Sequence, residues 1–271
     1  MKDYKQIKSK TKGPIITIMG GIHGDEICGY KAVEHFMKNI TTINKGTLNL
    51  VIANQLAITH DKREVNYNMN RIFRDNLPEQ IKDTYEYKRS LEIKETLDQS
   101  DILIDLHSSV EDSQPFIICE ENGLEIASCV NVKNILINID AFHPGSTDGY
   151  MNNKSKIGIC IECGYKKDPE STNFAISAVE SILVKLGVID SDLKINRYTQ
   201  DVFRSEYIYT AKSNEFVIPE AYTDFDIVKA GDIVAMDGEA SVRFKKHYHI
   251  LFANHKAKKG DEAFLLVEKQ N

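Results

Sequence analysis

The stretch GGIHGDEICGY, Gly20 to Tyr30, sets His23, Asp25 and Glu26 among glycines, between an apolar β-branched run and an amphipathic run. A histidine at the end of a strand and a glutamate at the start of the next helix can converge on one point. Gly20, Gly21 and Gly24 let the backbone turn sharply there. Zinc takes nitrogen and oxygen ligands of this kind, and a catalytic zinc needs three protein ligands and one position left for water. Taken alone, the stretch reads more readily as a glycine-rich turn with Asp25 as a helix N-cap and His23 at the surface.

A third ligand comes from LIDLHSS, where a strongly apolar run ends in Asp105, His107, Ser108 and Ser109. Residues two apart on a strand share a face, so Asp105 and His107 can point the same way. Ligands of open α/β sheets gather at the carboxyl ends of the strands. His23 stands at such an end, and His107 at another. Asp105 is then a candidate to orient a ligand from behind. A hydrolytic zinc also needs a base for its water. GICIECG places Glu162 in an otherwise apolar strand, where a lone carboxylate is costly unless it is paired or used. A strand-end glutamate facing solvent is the plainer alternative. Cys160 and Cys163 form a CxxC on that strand, but no second pair exists and residues three apart on a strand face opposite sides. Between His60 and Arg74 lies HDKREVNYNMNRIFR, rich in Asn and Arg. Arg63 and Arg71 could bind carboxylates bidentately, while His60 and Arg74 read as solvated loop.

The elements that must hold these residues alternate. Buried-strand patterns cover Gly13 to Met19, Thr47 to Ala53, Asp101 to Ser109, Asn134 to Asn138 and Lys156 to Gly164. Helical spacing appears at Ala32, Val33, Phe36, Met37 and Ile40, over residues 79–99, and from Phe174 to Leu186. Strands alternating with helices predict an α/β layered domain over residues 1–192. From there the pattern becomes short strand-like runs separated by Gly, Asp, Asn and Lys, predicting a small β-rich C-terminal domain over residues 193–271.

The chain has 271 residues, enough for a substantial core, and a net charge of −6 that argues against nucleic acid as the main partner. No apolar stretch reaches the length of a membrane span. The lysine-bearing N-terminus has too short an apolar run for a signal core, so a cytoplasmic protein is expected. The five cysteines lack a disulfide-framework spacing and read as reduced, with Cys28, Cys119 and Cys129 as small core residues. The sequence leaves open whether the chain forms a homo-oligomer.

HGDE, NMNRIF, DLHSS and IECG, in this order, together resemble the succinylglutamate desuccinylase/aspartoacylase family of the zinc carboxypeptidase-like superfamily. The match covers the N-terminal two-thirds. The resemblance implies a mixed twisted sheet between helices and one zinc ion held by His23, Glu26 and His107. It makes Glu162 the general base, gives Asn70 and Arg71 a substrate carboxylate to grip, and has Arg63 polarise the scissile carbonyl. The implied reaction is zinc-dependent hydrolysis of the amide bond of a small N-acylated amino acid. A zinc peptidase acting on short or cell-wall-derived peptides and a non-catalytic binding protein are the rivals. The chain departs from the aspartoacylase pattern twice. Asn152 stands ten residues before Glu162, where aspartoacylases carry an arginine for the acidic end of the substrate. Phe264 aligns with a tyrosine that their tail places in the site.

Overall fold

The structure, a computed structural model, describes residues 3–110, 113–192, 195–219 and 221–270. Its first part alternates β1 (Tyr4–Lys8), β2 (Ile15–Gly20), α1 (Ile27–Asn39), β3 (Thr47–Ile52), α2 (Gln55–Thr59), α3 (Glu79–Lys82) and α4 (Tyr85–Gln99). There follow β4 (Ile102–Ser109), β5 (Phe116–Cys119), α5 (Leu124–Ala127), β6 (Asn134–Ile137), α6 (Thr147–Asn152), β7 (Ile157–Tyr165) and α7 (Glu170–Lys185). The remaining elements are strands: β8 (Asp201–Thr210), β9 (Phe216–Val217), β10 (Asp226–Val228), β11 (Ala235–Asp237), β12 (Ala240–Val242), β13 (Tyr248–Leu251) and β14 (Glu262–Lys269).

An 11-stranded mixed sheet runs in the order β1-β3-β2-β4-β7-β5-β6-β8-β14-β13-β10, and β12-β11-β9 form a small antiparallel sheet. At its centre β2, β4 and β7 are parallel neighbours. Helices cover both faces there, which is why these strands read as continuous apolar runs. On one face α1 and α7 bury Cys28, Val33, Phe36, Val179 and Ile182 against Ile16, Leu50, Ile104 and Ile161. On the other, α4 brings Ile93 and Leu97 against Met19, Val51 and Leu103. The five cysteines are free and buried. Cys163 packs on the helical face and Cys160 in a separate core with Phe116 and Phe203, as opposite strand faces require.

The main sheet continues past the chain's midpoint because β6 pairs in parallel with β8. The expected boundary at 192/193 falls at residues 193 and 194, which lie outside the described residues. Three other expectations are corrected. The helical pattern over 79–99 is two helices, because Thr84 Oγ1 accepts a hydrogen bond from Tyr87 N at 3.2 Å and caps a fresh start. Two strands escaped the pattern. In β1, YKQIK buries one apolar side chain, Ile7, as a lysine-bearing edge does, and β5 is a four-residue apolar run that periodicity cannot assign. Finally, Glu26, not Asp25, occupies the N-cap position of α1, and it makes no capping bond. Its carboxylate is committed elsewhere, and Asp25 pairs with Lys166 at 2.6 Å.

Candidate metal centre and its cavity

His23 follows β2, Glu26 opens α1 and His107 lies near the end of β4. The three are 3–4% exposed, and one potential ligand atom from each lies within 4.8 Å of the others. Glu26 stands between the imidazoles. Its Oε1 is 2.7 Å from His23 Nδ1, and its Oε2 is 2.9 Å from His107 Nδ1. Each ring turns its other nitrogen to an acceptor. His23 Nε2 is 3.1 Å from Asn68 Oδ1, and His107 Nε2 is 3.1 Å from Asp105 Oδ2. With the ring protons on Nε2, toward those acceptors, both Nδ1 lone pairs would be free for a metal; without one, either ring can donate Nδ1–H to Glu26. Two imidazoles and a carboxylate meeting in a buried space could hold a cation between them, and the donor set is one that zinc takes.

The electrostatics run the same way. Burial alone would push Glu26 up, but the two imidazoles outweigh it and hold its carboxyl well below the usual range. Burial also works against charge on His107, yet Asp105 and Glu26 lift it well above an ordinary histidine. His23 is lowered, chiefly by burial. Asp105 is fixed by the Thr147 hydroxyl, which donates to the same Oδ2 that faces His107.

Glu162 sits beside His107 in the β4–β7 register. The pairing shifts between His107 and Ser109, and Gly164 takes φ +94° there, so the IECG glycine permits a bulge next to the site. Glu162 makes no hydrogen bond or ion pair among the described residues. Burial first, then the charge of Glu26, push it up to about 8, and a cation at the centre would oppose that rise.

The loop after α2 brings the remaining residues expected from the sequence. Arg63 Nη1 donates to Glu26 Oε1 at 2.9 Å, with the Arg63 side chain 42% exposed. Asn70 Oδ1 accepts from Thr147 N at 3.1 Å, and Arg71 Nη1 donates to Asn70 O at 2.8 Å. His23, Glu26, His107, Glu162, Arg63, Asn70 and Arg71 all border one cavity of about 770 Å³. Phe264 and Leu265 of β14 line it too, with Phe264 stacked on Tyr209 at 5.1 Å. Asn152 faces away to Asp140 Oδ2 at 3.0 Å and Gly158 N at 3.0 Å. His60 and Arg74 are exposed, as expected. Sequence reasoning missed Asn68, Thr147 and Asp148, as well as Glu86, which holds the loop by accepting from Val65 N at 2.7 Å. The Asn-rich composition around Asn68 was a signal, whereas Glu86 looks like any acidic residue in a first helical turn.

A model of the succinylglutamate desuccinylase/aspartoacylase catalytic domain matches residues 12–183. The chain belongs to that family. Among solved structures, succinylglutamate desuccinylase from Vibrio cholerae has a TM-score of 0.83 at 17% identity, over 99% of this chain and 86% of that one. That likeness carries the fold of the family, the large mixed sheet with helices and the small β sheet. Among curated relatives, N-acyl-aromatic-L-amino acid amidohydrolase (carboxylate-forming) of Rattus norvegicus is 26% identical over 55% of this chain and 52% of its own length. Aspartoacylase of Mus musculus is 31% identical over 41% of this chain and 40% of its own length. The chain thus spans about half, or less, of the length of these relatives. Among the described residues no helix is long and apolar enough to cross a membrane.

Proposed function

We propose that the protein is a zinc-dependent amidohydrolase that removes the acyl group from a small N-acylated amino acid. The observation that carries this reading is the convergence of two Nδ1 atoms and the Glu26 carboxylate beside Glu162, in a cavity that is also lined by the half-buried Arg71. Zinc held by His23, Glu26 and His107 would acidify a water and polarise the scissile carbonyl. Glu162 takes the proton of the attacking water and passes it to the leaving amine. Arg63, at the open side of Glu26, faces the oxygen on which charge develops. Asn70 and Arg71 take the substrate carboxylate, with Arg71 as the bidentate partner. Asp105 and Asn68 keep the two imidazoles in the tautomer that binds metal. Residues of β14 narrow the cavity, which favours small substrates over the extended peptides of the peptidase reading.

The test is a hydrolysis screen of acylated amino acids and short peptides, with elemental analysis of protein purified without added metal. About one zinc per chain and release of free amino acid are expected. Glu162→Gln should keep zinc and lose roughly 10²–10⁴-fold in turnover, the usual worth of a general base. Full activity in metal-free protein, or near-normal turnover in Glu162→Gln, overturns the mechanism.

A further inference from the structure

Besides the metal centre and Glu162, the lining of the cavity carries an unequal set of charges. Arg63 and Arg71 are the arginine or lysine side chains that line it among the described residues. Arg63 is paired with Glu26, while Arg71 has no carboxylate within ion-pair distance among those residues. One arginine is therefore left, enough for one substrate carboxylate. Lys154 and Lys156 do not line the cavity. Lys154 is paired with Asp98, and Lys156 donates to Leu97 O at 3.0 Å.

Against that arginine stand three lining acids other than Glu26 and Glu162: Asp148, Asp224 and Glu262. Two are already matched. Asp224 accepts from Ser113 Oγ at 2.6 Å and Phe252 N at 2.7 Å, and Glu262 lies 2.7 Å from His143 Nε2. Asp148 is not. It is 4% exposed, borders the cavity and has no lysine, arginine or histidine within ion-pair distance among the described residues. Its polar neighbour is the Ser146 hydroxyl, which also accepts from Gly149 N at 3.1 Å and faces Asp140. The backbone that carries it is held in place. Thr147 beside it is tied to Asn70 and Asp105, and a Cβ on Gly158 would come within 2.3 Å of Asp148 O.

Burying a carboxylate without a charged partner is costly, and a bound cation removes that cost. In accord with this, burial and neighbouring acids push Asp148 up to about 7. We propose that the cavity selects N-acylated amino acids whose side chain carries a cation, with Asp148 taking the charged nitrogen while Arg71 takes the α-carboxylate. This rests on the amidohydrolase reading. A substrate with a second carboxylate would meet no spare cation and a like charge.

Steady-state kinetics on three sets of substrates test it: Nα-acetylornithine and Nα-acetyllysine, their neutral counterparts N-acetylnorvaline and N-acetylnorleucine, and N-acetylaspartate and N-acetylglutamate. A charge-assisted hydrogen bond predicts kcat/KM roughly 10- to 100-fold higher for each basic substrate than for its neutral counterpart, and the acidic pair last. Asp148→Asn should bring the basic-to-neutral ratio close to one, with zinc content checking that the centre is intact. The comparison on the unaltered protein stands even where the variant does not fold. Acidic or neutral substrates cleaved better than the basic ones overturn this assignment and leave the deacylase. An unchanged basic-to-neutral ratio in zinc-loaded Asp148→Asn removes Asp148 from it. Hydrolysis of no acylated amino acid overturns the deacylase reading itself and this inference with it.

Discussion

The two ends of the cavity are built differently. At the reactive end the three candidate ligands are engaged: His23 with Glu26 and Asn68, and His107 with Glu26 and Asp105. Its residues come from the ends of β2 and β4 and from the start of α1. Neighbouring parallel strands fix their spacing to the register. At the other end Arg71 and Asp148 have no ion-pair partner among the described residues, though the charge of Asp148 acts on Arg71, and they come from a 3-10 turn and a six-residue helix. A site whose reactive groups must not move is placed on the sheet, and groups that await a substrate are placed on connections. The difference separates chemistry from selection. Damage to the first end should abolish turnover of every substrate, whereas damage to the second should change which substrate is preferred.

The largest effect expected is that of His23→Ala. One of three ligands is lost, so bound zinc and activity should fall together to background for all substrates, by more than the roughly 10²–10⁴-fold that a lost base costs. Zinc analysis beside the assay checks it. A variant that stays active without metal would erase the distinction between the two ends.

The arginines should then split along the same line. Arg63 touches Glu26 at the reactive end, and losing an oxyanion donor typically costs about 10²–10³-fold in kcat. Its exposed side chain puts Arg63→Ala near the lower figure. Arg71→Ala should instead raise KM for carboxylate substrates by roughly 10- to 100-fold, and do less to their amide or ester analogues. Kinetics on one acid and its neutral analogue decide between them. If Arg71→Ala slows both equally, the far end does not hold a carboxylate.

The legibility of the chain follows the same division. His23, Glu26, His107 and Glu162 stood out because charged residues at the ends of apolar strands break a strong pattern, and the sheet then brings them together by register. Strands β2, β3, β4, β6 and β7 were legible for the same reason, within a residue or two at their ends. Asn68 and Thr147 were not, because their roles arise from contacts 45 and 42 residues away in sequence, and a polar residue in a loop carries no mark of its distant partner. Asp148 was hidden similarly: an acid in a first helical turn is ordinary until its burial is seen. Residues after 195 were legible as short strands, but their entry into the main sheet through β8 was not, since strand pairing at that separation leaves no local pattern.

Asp105→Asn tests whether the reactive end depends on the groups behind it. The amide can offer an N–H where His107 needs an acceptor, which favours the tautomer that cannot bind metal through Nδ1. Replacing such a partner typically costs about 10–100-fold in metal affinity or activity. Zinc titration with a competing chelator should show the weakening, and excess zinc should restore much of the activity. Restoration distinguishes loss of orientation from loss of fold.

The smallest effect concerns the loop that serves both ends. Glu86 is fully buried, and its Oε1 accepts from Val65 N at 2.7 Å, Asn66 N at 3.2 Å and Asn54 Nδ2 at 3.4 Å. It holds the stretch between Arg63 and Arg71 without reaching the cavity. Glu86→Ala leaves those donors without an acceptor in a buried place, which should cost about 1–3 kcal/mol of stability. Glu86→Gln keeps an oxygen in the same position and should recover most of it. Neither change touches a metal ligand, so zinc content should stay at the normal level. Turnover should fall only a few-fold in the alanine variant, through looser placement of Arg63, and KM should rise with it, through Arg71. Chemical denaturation and kinetics on the two variants read these quantities together. A Glu86→Ala protein with normal stability and normal kinetics would mean that the loop is held from the cavity side alone, by Asn70 and Thr147.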